Sequence, residues 1–164
     1  MQTISHKEAD LWFRERDFPE WRVRDSKQWH RFMNIEEQPA GRSMHFARSA
    51  TVWLAKPEPR KTMVFVYDPH VWPSSENPHL FGVWRKQLGA TAELDDSPGH
   101  LFEAAETDEL CTLLHLSIIF GWGVVGGAED PQIGVHIDND GHVSAYAESS
   151  KGLPSVEWLR EVLG

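Results

Sequence analysis

The sequence predicts an α+β fold in which about five helices pack as a single layer on one face of a mainly antiparallel sheet. Three observations carry this expectation. Strand-like runs and helices follow one another without regular βαβ alternation, several helices have well-marked ends, and the C-terminal half contains three alternating segments that read as a meander. The 164 residues hold no internal repeat and no low-complexity linker, so one domain spanning 1–164 is expected. A chain of this length buries about two thirds of the surface it exposes when unfolded, enough for a self-supporting core.

Ser5 and Glu8 form a capping box before a helix carrying Leu11, Trp12 and Arg14, and Phe18-Pro19 ends it. A second helix is expected from Asp25 or Ser26, because Trp29, Phe32 and Met33 fall at i, i+3 and i+4; Pro39-Ala40-Gly41 closes it. From Ser43 to Asp68 the pattern changes to strands: Met44 and Phe46, then Val52 and Leu54, alternate, and Thr62 to Tyr67 is rich in β-formers, with Pro57 and Pro59 marking a turn between. Asn77 as N-cap, Pro78 at the first helical position and Gly89 as the stop frame a helix with Leu80, Phe81, Trp84 and Leu88 on one face. One or two short strands surround Ser97-Pro98-Gly99. Thr107 then caps an apolar helix over 108–120, which Gly121 ends. The meander runs through 122–126, 133–138 and 142–147, and a last helix begins near Ser155 with Val156, Leu159 and Leu163 inward.

Composition narrows the class. A single cysteine, Cys111, excludes a disulfide scaffold, and the balance of apolar and charged residues excludes a disordered chain. The first twenty residues contain no apolar run fit for a signal-peptide core, so a cytoplasmic location is expected. Leu110 to Ala128 lacks Asp, Glu, Lys and Arg over 19 residues, but it includes Thr112, His115 and Ser117, ends in four glycines and has no basic flank. A buried helix running into a central strand is the expectation, with no membrane contact.

Gly121, Gly123 and Gly126 spell G-x-G-x-x-G, yet they follow a helix instead of preceding one, so no helix start is available to meet a pyrophosphate and no cofactor is expected. His136, Asp138, Asp140 and His142 are the densest set of potential metal ligands, although Asp-Asn-Asp-Gly between alternating strands is also an ordinary hairpin turn. Cys111 and His115 share a helix face among Leu110, Leu113, Leu114 and Ile118, surroundings in which cysteine behaves as a small hydrophobe. Serine hydrolase, P-loop, HExxH and CxxC signatures are absent, and no catalytic residue is assigned. Bases and aromatics interleave from Trp12 to Phe32, but Glu15, Asp17, Glu20 and Asp25 dilute them, and nucleic-acid binding is not expected.

Two loops have the composition of recognition surfaces. One presents Trp72, Ser74, Ser75, Glu76, Asn77 and His79; the other, 97–102, presents His100. Charge adds a direction. Residues 1–60 hold 11 Lys/Arg against 9 Asp/Glu, whereas residues 87–150 hold 12 acids and no Lys or Arg. Such a surface attracts basic partners and repels nucleic acid and anionic membranes. The expectation is a binding module that engages a basic protein through its acidic C-terminal part. The alternative is a metal-dependent hydrolase built on the His/Asp set of 136–142 or on His70, His79 and His100. Nothing in the sequence indicates an oligomeric state.

Overall fold

The computed structural model describes residues 1–19, 30–34, 42–55, 60–69, 76–129 and 132–147, the segment 30–34 through its backbone alone. Seven strands, β1 (Gln2–Ile4), β2 (His30–Asn34), β3 (Thr62–Asp68), β4 (Gly99–Phe102), β5 (Gly123–Ala128), β6 (Ile133–Ile137) and β7 (His142–Ala147), form one sheet in the order β1-β4-β3-β5-β6-β7-β2. Every pairing is antiparallel. Four helices accompany it: α1 (His6–Glu15), α2 (Arg42–Ala55), α3 (Glu76–Gln87) and α4 (Thr107–Ile119). The α+β class and the three-stranded meander are as expected; the helix expected near Ser155 lies outside the described residues.

The helices do not form a single layer. In β3 both faces are apolar: Val64 and Val66 enter a core shared with α2, α3 and α4, while Met63 and Phe65 enter a second core with Ala9 and Phe13 of α1. The near-continuous apolar run Thr62–Tyr67 is the physical reason, since a strand buried on both faces loses its polar alternation and needs cover on each side.

Three elements differ from expectation. The segment around Phe32 and Met33 is strand β2 and not helix; its register against β7 shifts between Arg31 and Met33, and such an irregularity breaks the two-residue period that would have marked it. Residues 42–55 are helix, not strand. Its buried positions Phe46, Ala47, Ala50, Thr51, Leu54 and Ala55 repeat at helical spacing, and the small alanines between the larger residues disguise the pattern as alternation. In α3 the inward residues are Phe81 and Arg85, Leu80 is 58% exposed, and the helix already begins at Glu76, so Asn77 lies inside it.

Ends are set locally. Ser5 Oγ accepts from the Glu8 amide and the Glu8 carboxylate accepts from the Ser5 amide, completing the capping box of α1. At α4 the N-cap is Glu106, with Thr107 the first helical residue. The Glu106 carboxylate accepts instead from the Glu103 amide at 2.8 Å and pairs with the N-terminal ammonium. Gly121 stops α4 with a φ of 67°, a conformation glycine adopts without strain.

Candidate functional site

The register of the sheet sorts the acidic residues onto two opposite rims. At the rim where β4 and β5 end, Glu103 meets Lys61 at 2.6 Å, Glu129 pairs with Arg16, and Glu106 pairs with the N-terminus. Bases from the first 61 residues thus neutralise part of the base-free stretch. At the other rim β3 ends in Asp68, β6 is followed by Asp138 and Asp140, and Asp95 and Asp96 precede β4. Asp68, Asp96 and Asp138 have no Lys or Arg partner among the described residues. With strands about 4.8 Å apart, the row from β4 through β3 and β5 to β6 spans about 14 Å.

Of the four potential metal ligands, three come together. Asp138, Asp140 and His142 place one ligand atom each within 4.8 Å of one another. The turn itself uses these groups: Asp138 Oδ1 accepts from the amides of Asp140 at 3.0 Å and His142 at 2.8 Å, and Oδ2 lies 3.2 Å from His142 Nδ1. His136 does not join them. It pairs across the sheet with Val125, on the α1 side, and its Nε2 lies 2.7 Å from the Tyr67 hydroxyl. Burial lowers its pKa to about 4, with Asp138 opposing.

The residues of the two expected recognition loops part company. Trp72, Ser74 and Ser75, with His70, lie outside the described residues, while Glu76 and His79 are exposed and Asn77 is half-buried in the first turns of α3. His100 is not a loop residue at all. It occupies β4 opposite Val64 and is fully enclosed, because alternation along β4 turns it and Phe102 toward the larger core.

Around His100 lies a set of enclosed polar side chains. Phe81 contacts the His100 ring (centroids 5.8 Å apart, near perpendicular) and the Trp122 ring (5.1 Å), and Phe120 also packs on Trp122. One turn after Phe81, Arg85 is 1% exposed. Its Nη2 donates to the carbonyl and the hydroxyl oxygen of Ser97, each at 2.7 Å. Among the described residues Arg85 Nε, Trp122 Nε1 and both His100 ring nitrogens have no hydrogen-bond partner. Burial pushes the His100 pKa down to about 3 and the Arg85 charge adds to this; the carbonyls of Val64 and Pro98 oppose the shift only in part, as neither ring nitrogen reaches hydrogen-bonding geometry. Burial also lowers the Arg85 pKa, with Glu93 opposing.

Cys111 is half-buried, and burial raises its pKa, the reverse of what a reactive thiolate requires. The glycines of G-x-G-x-x-G serve packing: a Cβ on Gly123 would stand 2.6 Å from the Tyr67 ring, and one on Gly126 would stand 3.2 Å from Leu54 and Val135. No helix of the described residues is long and apolar enough to cross a membrane. Comparison with protein families, with curated proteins and with solved structures finds no match for this chain.

Sequence reasoning missed Arg85 and Trp122 as members of the enclosed set. One signal was present: Arg85 stands four residues after Phe81, so it shares that residue's buried helix face. Trp122 follows the helix stop directly and gave no sign that its indole N–H would be buried without an acceptor.

Proposed function

We propose that the protein is an interaction module whose acidic rim receives a basic protein partner. The observation that supports this reading is the row Asp68, Asp96 and Asp138 along one rim, which no Lys or Arg of the described residues meets, set against the opposite rim, where Glu103, Glu106 and Glu129 are met by charges of the chain itself. Exposed charges of one sign raise the encounter rate with an oppositely charged surface and are screened beyond about 8–10 Å at physiological salt. The test is affinity capture with the wild-type chain and with the double variant Asp68→Asn/Asp96→Asn at low and at high salt. Basic proteins retained at low salt, released by salt and several-fold depleted with the variant are expected. Capture of only neutral or acidic proteins, insensitive to salt, refutes the reading.

A second reading, a metal-dependent hydrolase, rests on the trio Asp138, Asp140 and His142, since three protein ligands and a water complete a catalytic zinc shell. It requires stoichiometric zinc that Asp140→Asn removes. Protein equilibrated with zinc that then retains none eliminates it.

A further inference from the structure

The enclosed polar set beneath α3 differs from the acidic rim in every respect that matters for a ligand. It has a positive charge, it is cut off from water, and its open hydrogen-bonding capacity is almost all donor. Arg85 Nε and Trp122 Nε1 only donate, while the His100 ring faces the carbonyls of Val64 and Pro98 without a full hydrogen bond to either. A guanidinium is always charged, and a buried charge is ordinarily matched by an ion pair. Here the described residues supply no carboxylate partner to Arg85, only the two oxygens of Ser97.

The set is also in one neighbourhood. Phe81 touches both His100 and Trp122, Arg85 stands one helical turn from Phe81, and the Arg85 charge acts on His100. The walls are aromatic, with Phe81 touching Trp84 and Trp122, and Phe120 touching Trp122. Although sealed from solvent, Arg85 is near the protein surface: the exposed Lys86 and the half-buried Trp84 flank it. Entry of a small molecule to this set requires a local displacement of α3.

We propose that Arg85, Trp122 and His100 form a binding site for the carboxylate of a small aromatic or apolar acid, with the oxyanion taking the open donors and the apolar part lying against Phe81 and Trp84. A carboxylate matches the planar guanidinium and brings a single negative charge. A phosphate dianion is disfavoured, because Asp95 and Asp96 directly precede Ser97, the residue that holds Arg85. The competing explanation for the open donors is internal water, which commonly serves buried polar groups.

The experiment is a titration of the full chain with benzoate, acetate and inorganic phosphate, each into the tens of millimolar at constant ionic strength, followed by the indole N–H resonance of Trp122. Comparison with Trp122→Phe assigns that resonance. The expected result is a saturable shift with benzoate, weaker with acetate and absent with phosphate. Benzoate affinity, read by calorimetry, is then expected to fall about tenfold or more in Arg85→Lys, since a bidentate, charge-assisted contact is not reproduced by an ammonium. If Arg85→Lys does not fold, Trp122→Phe carries the same comparison, with a loss of about threefold to tenfold for the removal of one hydrogen bond from an uncharged donor. A wild-type chain whose Trp122 resonance does not respond to benzoate overturns the proposal and leaves the donors to water. So does benzoate binding that the folded variants leave unchanged, or phosphate binding as tightly as benzoate.

Discussion

The two faces of the sheet are built to different standards. On the α1 side, polar groups that enter the core have partners: Tyr67 bonds His136, Tyr146 donates to Gln132 at 2.8 Å, and the Gln132 amide in turn donates to the Arg16 carbonyl. The glycines of β5 let aromatic rings settle directly on the sheet there, with Tyr67 over Gly123 and Phe13 and Phe18 over Gly127. On the side of α2, α3 and α4 lie, among the described residues, all the buried side-chain polar atoms without a partner: those of Thr62, Arg85, His100, His115, Ser117 and Trp122. Each such group costs about 1–3 kcal/mol relative to a satisfied one. One face pairs its polar groups within the protein, whereas the other leaves several of them to be met by water or by a ligand.

Truncating the aromatic centre of each face is the strongest way to break this contrast. Phe13 and Phe81 are both fully buried. Phe13→Ala is expected to cost about 3–5 kcal/mol in denaturant unfolding, the usual range for such a deletion. Phe81→Ala is expected to cost less, because water entering the vacated space reaches Trp122 Nε1 and His100 and satisfies them. Equal losses in the two variants would remove the distinction between the faces.

Two histidines, the enclosed His100 and the half-buried His136, sharpen the contrast with pH. In the folded chain the pKa of His100 is held at about 3 and that of His136 at about 4, while the ordinary value is 6.5. The unfolded chain therefore takes up these protons first as the solution is acidified. Stability from both groups is complete above pH 6.5 and is lost as pH falls toward 4 and 3, at up to about 1.4 kcal/mol per pH unit for each histidine. Urea midpoints of His100→Gln and His136→Gln are expected to fall less than wild type between pH 6.5 and 4.5. Because the His136 shift is smaller, its variant retains more of the wild-type slope.

How much of this was legible in the sequence depends on whether one residue's signal survives its context. The capping box at Ser5 and Glu8, the stop at Gly121 and the hairpin at Asp138–His142 are local chemistry and were readable. Residues 42–55 were not, because Met44, Phe46, Val52 and Leu54 satisfy a two-residue period by coincidence while the alanines that define the helical face carry little hydrophobic contrast. The convergence of Asp138, Asp140 and His142 could be read from spacing, but the departure of His136 depends on Tyr67, 69 residues away. The same holds for the enclosed set, in which α3, β4 and the residue before β5 meet only through long-range packing, and for the pairing of Glu103 and Glu129 with Lys61 and Arg16.

Smaller substitutions test the faces at single atoms. On the α1 side, Gly127→Ala places a methyl 2.8 Å from Phe13 and 2.9 Å from Phe18, and is expected to cost about 1–3 kcal/mol by overpacking, read as a drop in the thermal midpoint.

The last pair is expected to differ in sign. Tyr67→Phe removes the hydroxyl that meets His136 Nε2, leaving a largely enclosed nitrogen without that partner, so a loss of about 1 kcal/mol is expected. Thr62→Val removes a buried hydroxyl that has no partner to lose, at a position facing the larger core beside Val64, and replaces it with a methyl of similar shape. Here only the desolvation cost disappears, and the expected change is between zero and about 1 kcal/mol of added stability. Chemical denaturation of the two variants under one buffer decides the matter. Destabilisation by Thr62→Val as large as that by Tyr67→Phe would mean that the Thr62 hydroxyl is satisfied by water, and would remove Thr62 from the contrast between the faces.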